Sequence, residues 1–204
     1  MKSKFLLISL FAIIIATGCK EKVTKEVPKT QVTDKQDHPQ EPNKTATSSS
    51  KEGSLKIVGD RVIIPNFKIE VNLSDKAVKS LQKNKESIIA SLFFYGDASD
   101  ENSLPEDIKK ELGPNGLKLL VYDMEKIDIN QSNEFEITNL SFPKKLYDAL
   151  SSKEIYLNIN VFSGRRTFKD NILDMEFYDS KLNEIISHSS FINLNGRLLT
   201  EDKN

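Results

Sequence analysis

The sequence predicts a mainly β domain, a two-layer β-sandwich whose strands are joined by short helical crossovers. Three observations predict it: apolar residues alternate with period two in several short runs, Gly-containing turn signals separate those runs, and the helical patterns between them stay short. An α+β arrangement, with helices gathered on one face of a mixed sheet, is the alternative.

The first pair of runs lies in LKIVGDRVII, where Gly59-Asp60 between two β-branched stretches predicts a hairpin with a two-residue turn. In NFKIEVNL, Phe67, Ile69, Val71 and Leu73 fall on one face and Lys68, Glu70 and Asn72 on the other, which predicts a half-buried strand. Ser74 is then placed as the N-cap of a helix carrying Ala77, Val78 and Leu81 at helical spacing. SIIASLFFYG is apolar at nearly every position and predicts a central strand. GPNG, Gly113 to Gly116, predicts a turn that closes the short helix of LPEDIKKEL and opens the strand LKLLVYDMEKIDI. Further strands are expected around NILDMEFY and SSFINL, with a turn at Asn195-Gly196 and a helical turn at KLNEII.

An offset of 68 positions lays FKIEVNLSDKAVKSLQKNKESIIASLFFYG on FEITNLSFPKKLYDALSSKEIYLNINVFSG without a gap. Phe67/Phe135, Ile69/Ile137, Lys76/Lys144, Lys85/Lys153, Glu86/Glu154, Phe94/Phe162 and Gly96/Gly164 are identical. Each copy reads strand, short helix, strand, Gly. Duplication and convergence on one packing demand both account for the echo, and either implies a sandwich of the immunoglobulin-like or transthyretin-like kind.

The amino terminus carries a different message. Lys2 and Lys4 precede an apolar run, Phe5 to Ala16, of the length of a signal-peptide core and shorter than the roughly 20 residues of a membrane span. Ala16, Thr17, Gly18 and Cys19 follow in that order, and Cys19 is the single cysteine of the chain. This stretch resembles the lipobox of bacterial lipoproteins, with Ala16 in place of the more usual Leu. The resemblance implies cleavage after residue 18, a diacylglyceryl group on Cys19 and an acyl-chain anchor (palmitate or similar) in the membrane of the cell envelope. Two or three acyl chains, at about 0.8 kcal/mol per buried methylene, hold far more firmly than one. Lys20, where Asp would favour retention in the inner membrane, implies the outer membrane.

Residues 19–54 are rich in Lys, Glu, Thr, Ser, Gln and Pro, a composition that cannot bury enough apolar surface to offset its chain entropy and predicts a disordered tether. Its reach is roughly 30–35 Å as a flexible chain. One globular domain is expected over residues 55–200. His38 lies in the tether without a clustered second ligand, so a metal role is not expected there.

The chain carries 29 Lys and Arg against 30 Asp and Glu, which supplies no electrostatic footprint for nucleic acid. GxSxG, HExxH, Walker, GxGxxG and paired-cysteine patterns are all absent from the sequence, so no catalytic residue, metal or cofactor is assigned. His188 beside Ser189 is expected on a strand, where neighbours face opposite ways and cannot act as base and nucleophile. DINQSNE resembles a calcium loop only in Asp128, Asn130 and Ser132, because Asn133 stands where Gly is required and Asn139 where Glu is. Two loops follow the equivalent glycines of the echo, one acidic (Asp97, Asp100, Glu101, Glu106, Asp107) and one basic (Arg165, Arg166, Lys169). They are expected to be solvated and paired with each other.

The best surface is EIYLNINVFSGRR. With Ile155, Leu157, Ile159 and Val161 inward, Tyr156, Asn158, Asn160 and Phe162 form an aromatic and amide strip beside Arg165 and Arg166, suited to binding protein or glycan. A helix covering that face is the competing expectation. The functional expectation is a membrane-anchored, non-catalytic binding domain whose partners are the membrane, through the lipid on Cys19, and another envelope protein or glycan. The alternatives are a hydrolase using carboxylates such as Asp97, Asp100 or Asp174, and a small-ligand or ion carrier with a concave apolar pocket.

Overall fold

A computed structural model describes residues 54–188 and 190–202. The signal, Cys19, His38, nearly all of the tether and Ser189 lie outside the described residues.

Gly59, at φ +58, and Asp60 turn between β1 (Lys56–Val58) and β2 (Arg61–Ile63), the expected hairpin. In β3 (Phe67–Leu73), Phe67, Ile69, Val71 and Leu73 are buried and the residues between them are not. The Ser74 hydroxyl then accepts the Ala77 N–H at 3.1 Å and starts α1 (Asp75–Lys83), which buries Ala77, Val78 and Leu81. The helix stops in a Schellman turn. Lys85, at φ +51, donates its N–H to the Gln82 carbonyl, and Glu86 donates its own to that of Leu81.

β4 (Ile88–Gly96) lies at the centre of a five-stranded antiparallel sheet, as its composition predicts. On one side it pairs with β9 (Tyr156–Ser163), which pairs in turn with β11 (Tyr178–Lys181). Its other neighbour is β6 (Gly116–Lys126), which pairs with the two-residue β5 (Leu112–Gly113). Pro114 and Asn115 close that last hairpin after α2 (Glu106–Lys109). Gly116 adopts φ +102, and a Cβ there would meet the Gly96 carbonyl oxygen at 2.6 Å, so no other residue fits the turn without displacement.

The second layer is a four-stranded sheet in the order β10 (Leu173–Met175), β12 (Phe191–Leu198), β3 and β7 (Ser132–Ile137). In it β12 runs parallel to β3, so among the described residues the last strand closes on the first long one. α1 carries the chain from β3 to β4, and α3 (Lys144–Asp148) carries it from the β7 layer to β9, so both helices are crossovers between layers. A three-stranded sheet, β1, β2 and β8 (Ser141–Pro143), packs beside them. Ile69, Val71, Ile137 and Leu194 from one layer share a single core with Ile88, Leu92, Phe94, Leu117, Leu157 and Ile159 from the other. Burying each such side chain stabilises the fold by roughly 1.5–3 kcal/mol. The fold is mainly β and sandwich-like, as the alternation predicts.

Two local expectations are corrected. Asn195-Gly196 is not a turn: β12 runs through it, with Gly196 paired to Leu73 on one side and Met175 on the other. The missing Cβ makes room for the thioether of Met175 and for Leu73, so the glycine serves close packing inside a sheet. His188 is not on a strand either. It ends α4 (Leu182–His188), whose helix is held by Leu182 and Ile185 in the core, and its exposed ring places Nδ1 2.8 Å from the Glu184 carbonyl.

The echo reappears as β3–α1–β4 and β7–α3–β9, and the matched strands pair with each other, β3 with β7 and β4 with β9. Its gapless alignment does not hold throughout. Phe67 and Phe135 are both buried, yet Phe94 is fully buried while Phe162 lies on the opposite face of its sheet. The second strands are one residue out of phase.

Candidate functional site

A nine-residue strand with period two must send half its side chains away from the core, however apolar it is. In β4 the outward set is Ile89, Ser91, Phe93 and Tyr95, and register sets each opposite a member of the strip read on β9. Tyr95 faces Tyr156, Phe93 faces Asn158, Ser91 faces Asn160 and Ile89 faces Phe162. The rows continue onto β11, with Lys181 beside Tyr156 and Asp179 beside Asn158, and onto β6, with Val121 beside Phe93 and Asp123 beside Ser91.

Three aromatic rings stack along this face. Phe93 lies 5.2 Å from Tyr95, and Tyr95 lies 5.4 Å from Tyr156. The Tyr95 hydroxyl donates to the Asp179 carboxylate, 2.9 Å from either oxygen. Burial, then the hydrogen bond to Asp179 and that group's charge, pushes the phenol up to about 12. Asn158 donates to the Tyr178 carbonyl at 3.2 Å, and Lys181 pairs with Glu154 at 2.8 Å, which raises the ammonium and lowers the carboxyl. The face is open: Asn160 is exposed, Val121 is 49 % exposed, and the aromatics are half-buried.

The predicted strip residues Tyr156, Asn158 and Asn160 therefore stand together as expected. Arg165, at φ +57, places its guanidinium 5.6 Å from the Phe162 ring and extends the strip. Arg166 stands at the same end of the face, pairing at 2.8 Å with Glu125, which lies opposite Ile89 and whose carboxyl also accepts the Ser87 hydroxyl at 2.5 Å. Both bonds hold Glu125 below its ordinary value, that of Arg166 more. The sequence reading missed Phe93, Tyr95, Val121 and Asp179. Ser91, polar inside an otherwise apolar strand, was the signal that one face of β4 meets water.

The two loops do not pair with each other. Gly96 ends β4 beside Tyr156, and Gly164 follows the end of β9 that meets Ile88, so the loops leave opposite ends of the strand pair. Each docks on the helix end of the other unit. Ser99 donates to Ala149 and Ser151 to Asp97, while the N–H groups of Arg166, Thr167 and Phe168 all point to the Glu86 carboxylate. Asp100 caps the turn of Glu101–Ser103, Asp107 pairs with Lys145 at 2.5 Å, and Asp174 pairs with Arg197 at 2.7 Å in the other sheet. The Asn133 side chain is buried and fills its bonds on Asn130 and Val71. Among the described residues no three His, Cys, Asp or Glu side chains group as metal ligands. A cleft of about 790 Å³ lies between Ile155, Leu182, Ile186 and Leu55.

No protein-family model, curated protein or solved structure matches the chain. Its face must be interpreted by its own chemistry. Six residue steps along β9 span about 20 Å and four strands about 14 Å, so the face covers on the order of 300 Å². A stable protein–protein interface needs about 800 Å² per partner. The face therefore matches a short segment rather than a whole domain.

Proposed function

We propose that this chain is a lipid-anchored lipoprotein of the cell envelope whose domain is a non-catalytic binding module. Cys19 is the anchor, at the outer membrane. The binding surface is the outer face of the five-stranded sheet, with Tyr156, Asn158, Asn160 and Arg165 as contacts and Phe93, Tyr95 and Val121 as their apolar floor. One observation carries the reading: three stacked aromatics and two amides stand on a sheet face that remains open, where a sandwich needs only its inner face for stability.

The test has two arms in cells producing the tagged full-length chain. Cys19→Ser should abolish labelled-palmitate incorporation and move the chain out of the membrane fraction. Crosslinking should capture one envelope component that Asn158→Ala with Asn160→Ala releases, while the chain still unfolds in one transition with its midpoint lowered only by the lost Asn158 bond to the Tyr178 carbonyl. Capture that survives the double substitution would refute the face as the site, and membrane retention of Cys19→Ser would refute the anchor.

A further inference from the structure

A strand edge displays a row of water-bonded backbone N–H and C=O groups that another extended backbone can pair in register, so free edges are ordinarily kept short or charged. Here β1, β5, β8, β10 and β11 are two to four residues long. The longer edge of β7 carries Glu134 and Glu136, both held by Lys68 at 2.9 Å. β6 is the longest of them and, like β7, bears carboxylates along its edge, Asp123 and Glu125. Eleven residues long, it is covered by β5 only at Gly116 and Leu117, and among the described residues no strand lies beyond it from Val121 to Glu125.

That stretch, Val-Tyr-Asp-Met-Glu, contains neither Pro nor Lys. Tyr122 shows that the edge itself is open. It lies opposite the fully buried Leu92 on the inward side of the sheet, yet it is 40 % exposed. Ile127, just past the strand, is 58 % exposed.

We propose that the β6 edge, Val121 to Glu125, takes an extended peptide segment of another envelope protein as a sixth strand of this sheet. The inference rests on the binding reading above and names the chemistry of its partner. Five residues of edge, about 17 Å, set the length of the paired segment. Its alternate side chains lie beside Val121 and continue the aromatic face, while the others lie beside Tyr122. Charge sets the rest. Glu125 is taken by Arg166 and Ser87, whereas the exposed Asp123 makes no ion pair among the described residues, so the segment carries Lys or Arg there.

The experiment uses the full-length chain in cells with a photo-reactive benzoylphenylalanine at Val121, Asp123 or, on the face, Asn160. The two edge positions should attach to one segment of one partner, and moving the label by two residues should move the attachment site by two. Val121→Lys in the chain labelled at Asp123, which adds a guard charge to the edge, should cut the yield at least tenfold without moving the unfolding midpoint. Attachment to a second copy, to the chain's own tether or to glycan would overturn the edge proposal. So would attachment without the two-residue step, or none at the edge while Asn160 still crosslinks, which leaves the face reading standing. Silence at all three positions overturns both.

Discussion

Glu86 and Glu154 occupy the same place in two strand–helix–strand units, and they end in opposite environments. Glu86 is 1 % exposed, and its carboxylate accepts the N–H groups of Ser87, Arg166, Thr167 and Phe168. Glu154 has a side chain 37 % exposed and pairs with Lys181 at the rim of the open face. One residue makes the difference. In the first unit the fully buried Ser87 stands between Glu86 and the first core residue of the strand, Ile88, whereas in the second Glu154 leads directly to Ile155. A step of one residue exchanges the two faces of a strand, which is why Phe94 fills the core and Phe162 does not. The first unit's carboxylate became a clamp for the basic loop, and the second unit's became part of the surface proposed to bind.

The largest expected effect breaks that clamp. Glu86→Ala leaves buried N–H groups without their charged acceptor and should cost about 3–4 kcal/mol in urea unfolding. Glu154→Ala should barely move the midpoint, because exposed pairs contribute little. Equal losses would refute the distinction. Acid gives a second view. Burial pushes the Glu86 carboxyl up, but the four backbone bonds outweigh it and hold it below its ordinary 4.5. Its contribution is therefore complete above that value and is lost as pH falls through the depressed one. Glu86→Gln should remove that part of the acid dependence, while Glu154→Gln should leave it in place.

The paired glycines come next. A Cβ on Gly96 would meet the backbone oxygen of Glu154 at 2.6 Å and the Leu150 side chain at 2.9 Å, and neither can move without disturbing β9 or the core. Gly96→Ala should cost about 2–3 kcal/mol. On Gly164 the obstruction is the Ser87 hydroxyl, the side chain of the extra residue itself. Ser87→Gly should therefore restore part of what Gly164→Ala loses and nothing of what Gly96→Ala loses, as thermal unfolding of the two double variants would show.

Tyr95 has no outward counterpart in the second unit, since the aligned residue, Ser163, is fully buried and bonds Asn171. Tyr95→Phe should cost about 1 kcal/mol through the lost bond to Asp179. The phenol should titrate near 12 in an ultraviolet pH titration and fall on Asp179→Asn. Because the folded value is raised, this contribution holds below the ordinary 10 and disappears as pH rises through 12.

Much of the fold was legible because its signals are local. Ser74 as a cap, Gly59-Asp60 as a hairpin and the alternation of β3 each depend on residues within one turn or one strand. The phase slip was not, since it depends on where a single serine is spent between a helix and a strand. For the same reason half of the candidate face escaped the sequence: the outward side of β4 looks apolar, and only its pairing with β9 sets Phe93 beside Asn158 and Tyr95 beside Tyr156 on an open face rather than under a second layer. Asn195-Gly196 failed for a related reason, because a close approach of Met175 and Leu73 demands glycine as strongly as a turn does.

The smallest effect tests a position where the two units share the residue and the backbone conformation but use the side chain differently. Lys85 and Lys153 both hold left-handed conformations, φ +51 and +60, which disfavour a residue with a Cβ. The Lys85 side chain is exposed, and its backbone alone closes the Schellman turn of α1. Lys153 instead extends its ammonium to the carbonyls of Tyr147, Asp148 and Leu150, where a cation is favoured at the end of α3. Lys85→Gly should thus stabilise the domain by about 0.5–1 kcal/mol, because it relieves strain and its backbone still closes the turn. Lys153→Gly relieves the same strain but strands three carbonyls, so it should gain nothing or lose. If denaturant midpoints rise equally for both, the ammonium of Lys153 is not a cap, and the second unit is held at this corner by its backbone, like the first.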